Sequence, residues 1–216
     1  MKFDCVIFDL DGTLLDTLGD LRNALNAALA EFARPARTTE EVRMMVGNGV
    51  RNLISKAMPE AASETDLERA LRSFREYYNS HLNVETVPYP GIMEMLCRLH
   101  DAGMKVCINS NKYDAALKAL CIAHFDGLYV AAEGESPDCP RKPDPAAALK
   151  LAALCGAHPE RTLYVGDSNV DVRTAANAGM HAAWVSWGFR SRDDMGDQLP
   201  ENCFDDADAL CDYILD

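Results

Sequence analysis

Short apolar runs of strand length alternate along most of the chain with segments of helical periodicity. Five such runs, each too short for a helix, lie at residues 4–9, 105–109, 128–131, 162–165 and 182–186. Continuous apolar strands that alternate with helices are typical of a parallel sheet covered by helices on both faces. The pattern therefore predicts an α/β fold.

The interval between the first and the second of these runs is predicted to be entirely helical. Apolar residues recur at steps of three and four between residues 21 and 32, and capping boxes begin at Thr38 and Ser63. Prolines and a glycine at residues 87–91 end the interval. We therefore expect a helical domain at 17–87, inserted into a core domain formed by 1–16 and 88–216.

The composition is acidic and excludes some classes of function. The 216 residues include 21 Lys and Arg against 34 Asp and Glu, a net charge of −13. This balance argues against nucleic acid as a partner, because a phosphate backbone requires a basic face. No apolar run approaches the ~20 residues that span a bilayer. Because Met1 is followed almost at once by a strand-like stretch, we expect no secretory signal. We expect a cytoplasmic protein without a membrane partner. Nine acids and no base follow Arg192, which predicts a solvated acidic helix face.

The eight cysteines and five histidines are scattered along the chain. No two cysteines form a C-x-x-C pair, whereas a zinc site requires close pairs of cysteine or histidine. Several of the cysteines lie in apolar stretches. We therefore expect reduced, mostly buried thiols rather than a disulfide framework or a zinc centre.

Four short segments carry candidate chemistry, and all but one lie at the end of a predicted strand. The first is Asp9-Leu10-Asp11-Gly12-Thr13. Two carboxylates at a strand end can hold a divalent cation and still present an oxygen to a substrate. A calcium loop has a similar sequence, but it is excluded because Leu14 stands where its sharp turn needs glycine.

The second and third segments offer groups that bind anions. In Ser110-Asn111-Lys112, a hydroxyl at a strand end precedes backbone N–H groups that open the next helix, which favours a phosphate or oxyanion site. The alternative is a simple helix cap. In Lys142-Pro143-Asp144-Pro145, a lysine before a proline that starts a helix can neutralise an anion. The alternative there is ordinary surface charge.

The fourth segment, Gly166-Asp167-Ser168-Asn169-Val170-Asp171, again places two carboxylates after a strand. Asp167 at the strand end can reach a cation, and Asp171 one helical turn later can orient it. The segment is not a hydrolase nucleophile elbow, because Val170 occupies a position where that motif needs glycine.

The order of these four segments resembles that of the haloacid dehalogenase superfamily of aspartate-nucleophile phosphohydrolases, over essentially the whole chain. The resemblance is strongest to its phosphoglycolate phosphatase-like subgroup, through Leu15-Asp16-Thr17 and the segment at 46–50. It implies a Rossmann-like parallel sheet core with a small α-helical cap domain inserted after the first strand. It also implies Mg²⁺ as the cofactor and a small phosphorylated metabolite as the substrate.

The resemblance implies a role for each motif residue. Asp9 is the expected nucleophile, which forms an aspartyl-phosphate, and Asp11 is the expected general acid and base. Lys142 is expected to offset negative charge on the nucleophile and the phosphoryl group. The expected phosphoryl ligands are Gly12, Ser110 and Asn111, and the expected Mg²⁺ ligands are Asp9, Asp11 through its backbone carbonyl, Asp167 and Asp171.

A glycine-containing loop within the helical interval is a candidate substrate contact. Asn48 and Arg51 offer an amide and a guanidinium that can pair with a substrate carboxylate, beside the flexible backbone of Gly47 and Gly49. The alternative is a helix–helix turn with Arg51 on the surface. A glycolate carboxylate suits Arg51, and so does pyrophosphate or a sugar phosphate. The expectation of phosphoglycolate-like specificity therefore rests on the resemblance alone.

Single residues argue against several other activities of the same family. Dehalogenases and phosphonate hydrolases lack the second acid, and Asp11 is present. Hexose-phosphate mutases carry a histidine where Leu21 stands. A silent Mg²⁺- or phosphate-binding regulator is expected to have lost Asp9, Asp11 or Lys142, and none is lost. A pyrophosphatase and a sugar-phosphate or nucleotide phosphatase stay open as alternatives, and so does the oligomeric state.

Overall fold

A six-stranded sheet forms the centre of the protein, whose computed structural model describes residues 1–216. With strands numbered along the chain, the sheet contains β1 (Cys5–Phe8), β4 (Lys105–Tyr113), β5 (Ala131–Glu135), β6 (Thr162–Gly166), β7 (His181–Val185) and β8 (Asn202–Phe204). Their order is β5–β4–β1–β6–β7–β8, and every neighbouring pair is parallel. The predicted α/β fold with a Rossmann-like parallel sheet is confirmed.

The central strand is β1, which pairs with β4 on one side and β6 on the other. Val6 lies opposite Val106 in β4 and Leu163 in β6, and all four residues of β1 are buried. The apolar runs at 4–9, 105–109, 162–165 and 182–186 correspond to β1, β4, β6 and β7. A strand that is buried on both faces reads as a continuous apolar run, so these four were visible in the sequence.

The predicted strand at 128–131 is wrong, because β5 begins only at Ala131 and continues to Glu135. Leu128 and Tyr129 pack against the core ahead of the strand and supply the apolar signal. β5 is an edge strand whose residues alternate between buried and half-buried, so its own sequence contains no apolar run. The opposite edge strand, β8, is also short and half-buried, and it was not predicted.

Helices cover both faces of the sheet, as the sequence pattern predicts. They are α5 (Ile92–Asp101), α6 (Asp114–Phe125), α7 (Ala146–Leu154), α8 (Asn169–Ala178) and α10 (Ala207–Leu215), with a single turn of helix, α9 (Arg192–Met195), between the last two. Helices α5, α6 and α10 share one core with Phe8. Helices α7 and α8 share another with Ile7, the neighbour of Phe8 that points to the opposite face.

The acidic C-terminal segment folds as the predicted solvated helix face. In α10, Leu210 and Ile214 are buried, whereas Asp208 and Asp212 point outward and pair with Arg98 of α5. No helix in the chain has the length and apolar character that crossing a bilayer requires.

Four helices form the insertion that follows β1. They are α1 (Leu18–Ala30), α2 (Thr39–Met45), α3 (Gly49–Ala57) and α4 (Glu64–Ser80). The capping box at Thr38 is confirmed. At Ser63 only half of the predicted box forms, because the hydroxyl accepts the N–H of Asp66 while the Asp66 carboxylate bonds to that hydroxyl and not to the Ser63 N–H. The apolar stripes of these helices meet in a core of their own that contains Leu25 and Phe74. The insertion is thus a small α-helical cap.

A two-stranded antiparallel ribbon joins the cap to the sheet and was not predicted. Its strands are β2 (Leu15–Asp16), where the chain enters the cap, and β3 (Val87–Pro88), where it leaves. The buried Asp20 carboxylate reinforces this junction by accepting the backbone N–H groups of residues 84–86 at 3.0–3.2 Å and the Thr86 hydroxyl at 2.7 Å. One side chain therefore ties the entering chain to the leaving chain.

We predict that Asp20→Ala lowers the free energy of unfolding by at least about 1–3 kcal/mol, because it leaves several buried donors without a partner. Urea or thermal unfolding measures the free energy of unfolding. Glu60→Ala is the control, since Glu60 is exposed and has no hydrogen-bond partner, and it should leave stability unchanged. Equal stability of the two variants would contradict the role assigned to Asp20.

Candidate active site

Three adjacent strands bring the sequence motifs to one edge of the sheet. Asp9 follows β1, Ser110 lies near the end of β4, and Asp167 follows β6. Because β1 lies between β4 and β6, these residues meet at the carboxyl ends of parallel strands, where such sheets bind ligands. A cleft lies between this edge and the cap, and its lining includes all three residues together with Asp11 and Lys142.

The Asp9 carboxylate is held through one of its two oxygens. The Asp9 backbone N–H donates to the Val165 carbonyl of β6 at 2.9 Å. Its Oδ1 accepts the N–H of Leu10 at 2.7 Å and lies 2.8 Å from Lys142 Nζ. No hydrogen bond reaches Oδ2, so this oxygen is available to a group in the cleft.

Lys142 is a buried cation between two carboxylates. Its Nζ lies 2.8 Å from Asp9 Oδ1 and 2.7 Å from Asp171 Oδ1. Burial alone would lower the pKa of Lys142, but the Asp171 and Asp9 carboxylates raise it well above its ordinary value. The ammonium group therefore stays charged beside Asp9.

The backbone around Lys142 differs from the sequence prediction. The next helix, α7, begins at Ala146, after Pro145, so Pro143 does not start a helix. Lys142 is fixed instead by the side chain of Asn111, which accepts the Lys142 N–H at 2.7 Å and donates to the Lys142 carbonyl at 3.2 Å. The third motif is thus positioned by the second.

Both oxygens of Asp171 are engaged within the protein. Oδ1 pairs with Lys142, while Oδ2 accepts the hydroxyl of Ser168 at 2.6 Å and its N–H at 3.1 Å. The second pair of bonds closes a capping box at the start of α8. Asp171 is therefore held in place by the helix that it caps, and it in turn fixes Lys142.

Asp167 approaches the backbone so closely that two glycines are required beside it. Its Oδ2 accepts the N–H of Phe189 at 2.6 Å. A Cβ atom at Gly12 would lie 2.5 Å from Asp167 Oδ2, and one at Gly188 would lie 2.2 Å from Asp167 Cβ. Gly12 also has a φ of +87°, which side chains disfavour. The glycine of the first motif thus makes room for the aspartate of the fourth.

Asp11 lies across the cleft edge from Asp9 and is oriented by three donors. Its Oδ1 accepts the Thr17 hydroxyl at 2.6 Å and lies 2.9 Å from Lys112 Nζ. Its Oδ2 accepts the Ser110 hydroxyl at 3.3 Å. Thr17 stands at the entrance to the cap, so the orientation of Asp11 depends on where the cap begins.

Lys112 belongs to the second motif, but the sequence alone does not indicate a role for it. It is buried, and its Nζ contacts both Asp11 and, at 2.9 Å, the hydroxyl of Tyr78 in the cap helix α4. Burial would lower the pKa of Lys112, and the Asp11 carboxylate raises it above its ordinary value. Its place directly after Ser110 and Asn111 was the only signal in the sequence.

Ser110 and Asn111 lie in the cleft wall, but no helix opens after them. Strand β4 continues through an irregular register to Tyr113, and α6 begins at Asp114. The expectation that the N–H groups after Ser110 open a helix is therefore wrong. The Asn111 amide is also occupied, because it bonds to the Lys142 backbone and donates to the Gly47 carbonyl at 3.1 Å.

The cap loop faces the cleft with its backbone rather than with the predicted side chains. Gly47 and Gly49 line the cleft, whereas Asn48 and Arg51 do not. Arg51 forms ion pairs with Glu64 and Glu68 of α4 and lines a separate, smaller depression that also contains Glu135 and Arg141 of the core. The structure does not bring Arg51 to the cleft, because these two carboxylates hold its guanidinium elsewhere.

The carboxylates of the cleft carry uncompensated negative charge. Oxygen atoms of Asp9, Asp167 and Asp171 all lie within 4.8 Å of one another, and only Lys142 lies among them. Burial and the neighbouring carboxylates raise the pKa of Asp9 well above its ordinary value, and the same causes raise that of Asp167 to about 7. Hard oxygen donors with unbalanced charge fit a divalent cation such as Mg²⁺.

Comparison with known proteins agrees with this geometry. The family model for haloacid dehalogenase-like hydrolases matches residues 6–185. The chain belongs to this family. A phosphoglycolate phosphatase of Mesorhizobium japonicum is 35% identical to this hydrolase over 198 residues, 89% of the chain and 86% of the relative. One from Psychrobacter arcticus is 32% identical over 224 residues, 100% of the chain and 97% of the relative.

A solved structure extends the likeness to the whole fold. A crystal structure from Lactobacillus delbrueckii subsp. bulgaricus, described as a candidate phosphoglycolate phosphatase, matches this hydrolase with a TM-score of 0.94. The two chains are 32% identical, and the match covers 99% of each. The family resemblance seen in the four sequence motifs is thereby confirmed, and so is the cap inserted after the first strand.

Arg190 links the core of this hydrolase to its cap, a contact that the motifs did not indicate. Its guanidinium donates to the Arg43 carbonyl at 2.6 Å and the Val46 carbonyl at 2.7 Å at the end of α2. In return, Arg43 donates to the carbonyl of Phe189. The N–H of Phe189 also binds the Asp167 carboxylate. The segment formed by Phe189 and Arg190 therefore positions a cleft carboxylate and also binds the cap.

We predict that the metal-free hydrolase loses stability, relative to Asp167→Asn, as the pH rises from about 4 to about 7. The folded state keeps a proton on Asp167 over this range because its pKa is raised from 3.8 to about 7, whereas the unfolded state loses it. Fewer protons bound on unfolding means that the free energy of unfolding falls with pH, by up to about 4 kcal/mol.

Urea unfolding in chelator at a series of pH values measures this difference. Asp193→Asn removes an exposed carboxylate and serves as the control, which should follow the wild type. Parallel pH profiles for the wild type and Asp167→Asn would contradict the raised pKa. Addition of Mg²⁺ near pH 7 should restore stability to the wild type more than to Asp167→Asn.

Proposed function

We propose that this hydrolase is a Mg²⁺-dependent phosphatase that cleaves a small phosphomonoester through an aspartyl-phosphate intermediate. One observation carries the proposal. Asp9 presents a carboxylate oxygen to the cleft while Lys142, 2.8 Å from its other oxygen, balances its charge. A second acid, Asp11, faces the same cleft. A nucleophile and a separate acid are the two groups that such a double displacement needs.

In the first half of the reaction, Asp9 Oδ2 attacks phosphorus and the bond from phosphorus to the leaving oxygen breaks. Lys142 offsets the negative charge that gathers on Asp9 and the phosphoryl oxygens. Ser110 and the backbone around Gly12 and Asn111 bind those oxygens. Because the Asn111 amide is occupied by Lys142 and Gly47, we propose only the backbone of Asn111 for this role.

Asp11 protonates the leaving oxygen and then takes a proton from the water that hydrolyses the aspartyl-phosphate. Thr17, Ser110 and Lys112 hold its carboxylate at 2.6–3.3 Å, so it stays directed along the cleft edge between the two steps. Such fixed geometry is what general acid–base catalysis requires.

Asp9, Asp167 and the backbone carbonyl of Asp11 are the proposed Mg²⁺ ligands. When bound, the ion supplies neutralisation of charge on the nucleophile and on the phosphoryl group. Asp171 is proposed to act from behind these ligands, because both of its oxygens already bond to Lys142 and Ser168.

The position of the cap is an argument for a small anionic substrate. It closes one side of the cleft, which excludes water and large molecules from the reacting groups. Lys112 and Arg190 line the cleft in addition to Lys142, and their positive charge favours an anionic substrate although Asp11 and two cap carbonyls already accept their hydrogen bonds. The relatives named phosphoglycolate phosphatase support 2-phosphoglycolate as the substrate. Arg51 no longer supports this choice, because it pairs with Glu64 and Glu68.

Two alternatives are weakened by the arrangement of the cleft. Leu21 lines the cleft at the position where the family's hexose-phosphate mutases carry a histidine, and leucine cannot transfer a proton. A silent phosphate-binding regulator has no need for an acid placed separately from the nucleophile. Pyrophosphate, sugar phosphates and nucleoside monophosphates remain the alternative substrates to be tested.

The proposed enzyme has two domains and a cytoplasmic location. We propose a cap at 17–87 that moves relative to a core at 1–16 and 88–216, with the ribbon of β2 and β3 at the boundary. All eight cysteines are free thiols, which supports the reducing environment of a cytoplasm.

We predict that phosphate release requires Asp9 and a divalent cation. With 2-phosphoglycolate, Asp9→Asn should lower kcat by at least about three orders of magnitude, because the amide cannot form the intermediate. Chelator should abolish turnover, and Mg²⁺ should restore it. A panel with pyrophosphate, sugar phosphates and nucleoside monophosphates, assayed for released phosphate, identifies the preferred substrate.

Asp144→Asn is the matched control for this assay, since Asp144 follows Lys142 in the same motif but is not in the lining of the cleft. It should keep most of the activity. Turnover that survives in Asp9→Asn would overturn the proposed nucleophile. Strong preference for another member of the panel would keep the chemistry and replace the substrate.

We further predict that Arg190→Met raises KM for the preferred substrate by about ten-fold, because the cap loses two charge-assisted hydrogen bonds to the core. Steady-state kinetics measures the effect. Arg173→Met is the control, since Arg173 is exposed on α8 and bonds only to a carbonyl of its own helix. An unchanged KM in Arg190→Met would show that these bonds do not contribute to closure.

A further inference from the structure

Three cysteine thiols meet on the face of the sheet that α7 and α8 cover. Cys5 begins β1, Cys107 lies in the first half of β4, and Cys155 directly follows α7. Their sulfur atoms all lie within 4.8 Å of one another, and Cys107 Sγ lies 3.3 Å from Cys155 Sγ. The cluster is near the amino ends of the strands, so it is separate from the cleft at their carboxyl ends.

The register of the sheet explains why these residues meet. Cys107 pairs with Ile7, so Cys5 and Cys107 are diagonal neighbours on adjacent strands and point to the same face. The end of α7 then places Cys155 over them. Cys5 and Cys107 are fully buried and Cys155 is half-buried, so the cluster is closed on the sheet side and reachable from the helix end.

The surroundings of the thiols are apolar. The buried residues that share this core are aliphatic, alanine, methionine and one tyrosine, among them Leu151, Ala178 and Met180. A group bound here is therefore penalised for any net charge that it leaves in the core. Hydrogen bonding from Cys5 lowers the pKa of Cys107, which favours reaction at this thiol over its neighbours.

We propose that Cys5, Cys107 and Cys155 form a binding site for a soft trivalent ion, arsenic(III), held by three sulfur atoms. Arsenous acid, As(OH)₃, exchanges its three hydroxyl groups for the three thiols. Three As–O bonds break, three As–S bonds form, and the thiol protons leave with the hydroxyl groups as three water molecules. Arsenic stays in its +3 state, and the product has no net charge.

Charge and ligand number favour this ion over divalent and monovalent ones. Thiolates select soft ions such as Cu(I) and Zn(II). With three thiolates, however, Zn(II) leaves one negative charge and Cu(I) leaves two in the apolar core. Structural zinc also takes four protein ligands, and the cluster provides three. A trivalent ion with three ligands satisfies both conditions at once.

The test uses arsenite with the full-length, reduced protein in a buffer free of dithiols. Native mass spectrometry should find one arsenic per chain with the loss of three protons, the signature of three As–S bonds. Near-ultraviolet absorption from sulfur-to-arsenic charge transfer should appear with the same stoichiometry. Thermal unfolding should shift upward, because three thiols already assembled in the folded state bind the ion more tightly than the dispersed thiols of the unfolded chain. An adduct that retains a hydroxyl group, or no adduct, would overturn the proposal.

Single replacements assign the adduct to the cluster. Cys155→Ser should weaken arsenite binding by more than about ten-fold, because the third intramolecular bond is lost. Cys203→Ser is the matched control, a half-buried thiol outside the cluster, and should bind as the wild type does. Equal binding by both variants would contradict the site.

A second measurement uses only the wild-type protein, so its result cannot be caused by a variant that fails to fold. Arsenite should protect Cys155 of the wild type from alkylation, as mapped by peptide mass spectrometry, while the exposed Cys97 stays reactive. Unprotected Cys155 would overturn the proposal. Tighter binding of Zn(II) than of arsenite at these thiols would contradict the three-coordinate assignment.

Discussion

A buried ammonium group between two carboxylates is the interaction on which the active end of this protein depends. Lys142 bridges Asp9 and Asp171, and the Asn111 side chain fixes its backbone from the neighbouring strand. One positive charge is too little for three close carboxylates, and burial together with this deficit raises the pKa values of Asp9 and Asp167. The same deficit makes the cleft ready for a dication. The arrangement of charges that fixes Lys142 in place therefore also prepares the cleft to bind a divalent cation.

The fold and the central residues were predictable because their signals are local. Buried parallel strands are apolar runs, and chemistry at their carboxyl ends follows from the topology, so Asp9, Ser110 and Asp167 converge as expected. Arg51 was misplaced since its partners, Glu64 and Glu68, lie on another helix. Strand β5 was missed because an edge strand need not be apolar. The thiol cluster was missed because spacing rules detect neighbours in sequence, whereas sheet register sets neighbours in space.

Side chains of the core donate hydrogen bonds to main-chain carbonyls at the end of α2 and in the loop after it. Arg190 binds the carbonyls of Arg43 and Val46, Asn111 binds that of Gly47, and Arg141 binds that of Asn48 at 3.1 Å. The Arg43 carbonyl in α2 and the three successive carbonyls of Val46, Gly47 and Asn48 after it therefore receive donors from the core. Recognition of this kind depends on the path of the loop and not on its side chains. It explains how the cap loop can close the cleft while the Asn48 side chain remains exposed.

The ribbon of β2 and β3 has a consequence for the architecture as a whole. Because Leu15 lies opposite Pro88 and Asp16 opposite Val87, the chain leaves the core and returns to it at almost the same point. A segment whose ends are already adjacent can change in length at little cost in chain entropy, since loop closure grows only logarithmically with loop size. The core thus accepts the cap as it would accept an exchangeable loop, and the cap can change in length without disturbing the strands that position Asp9, Ser110 and Asp167.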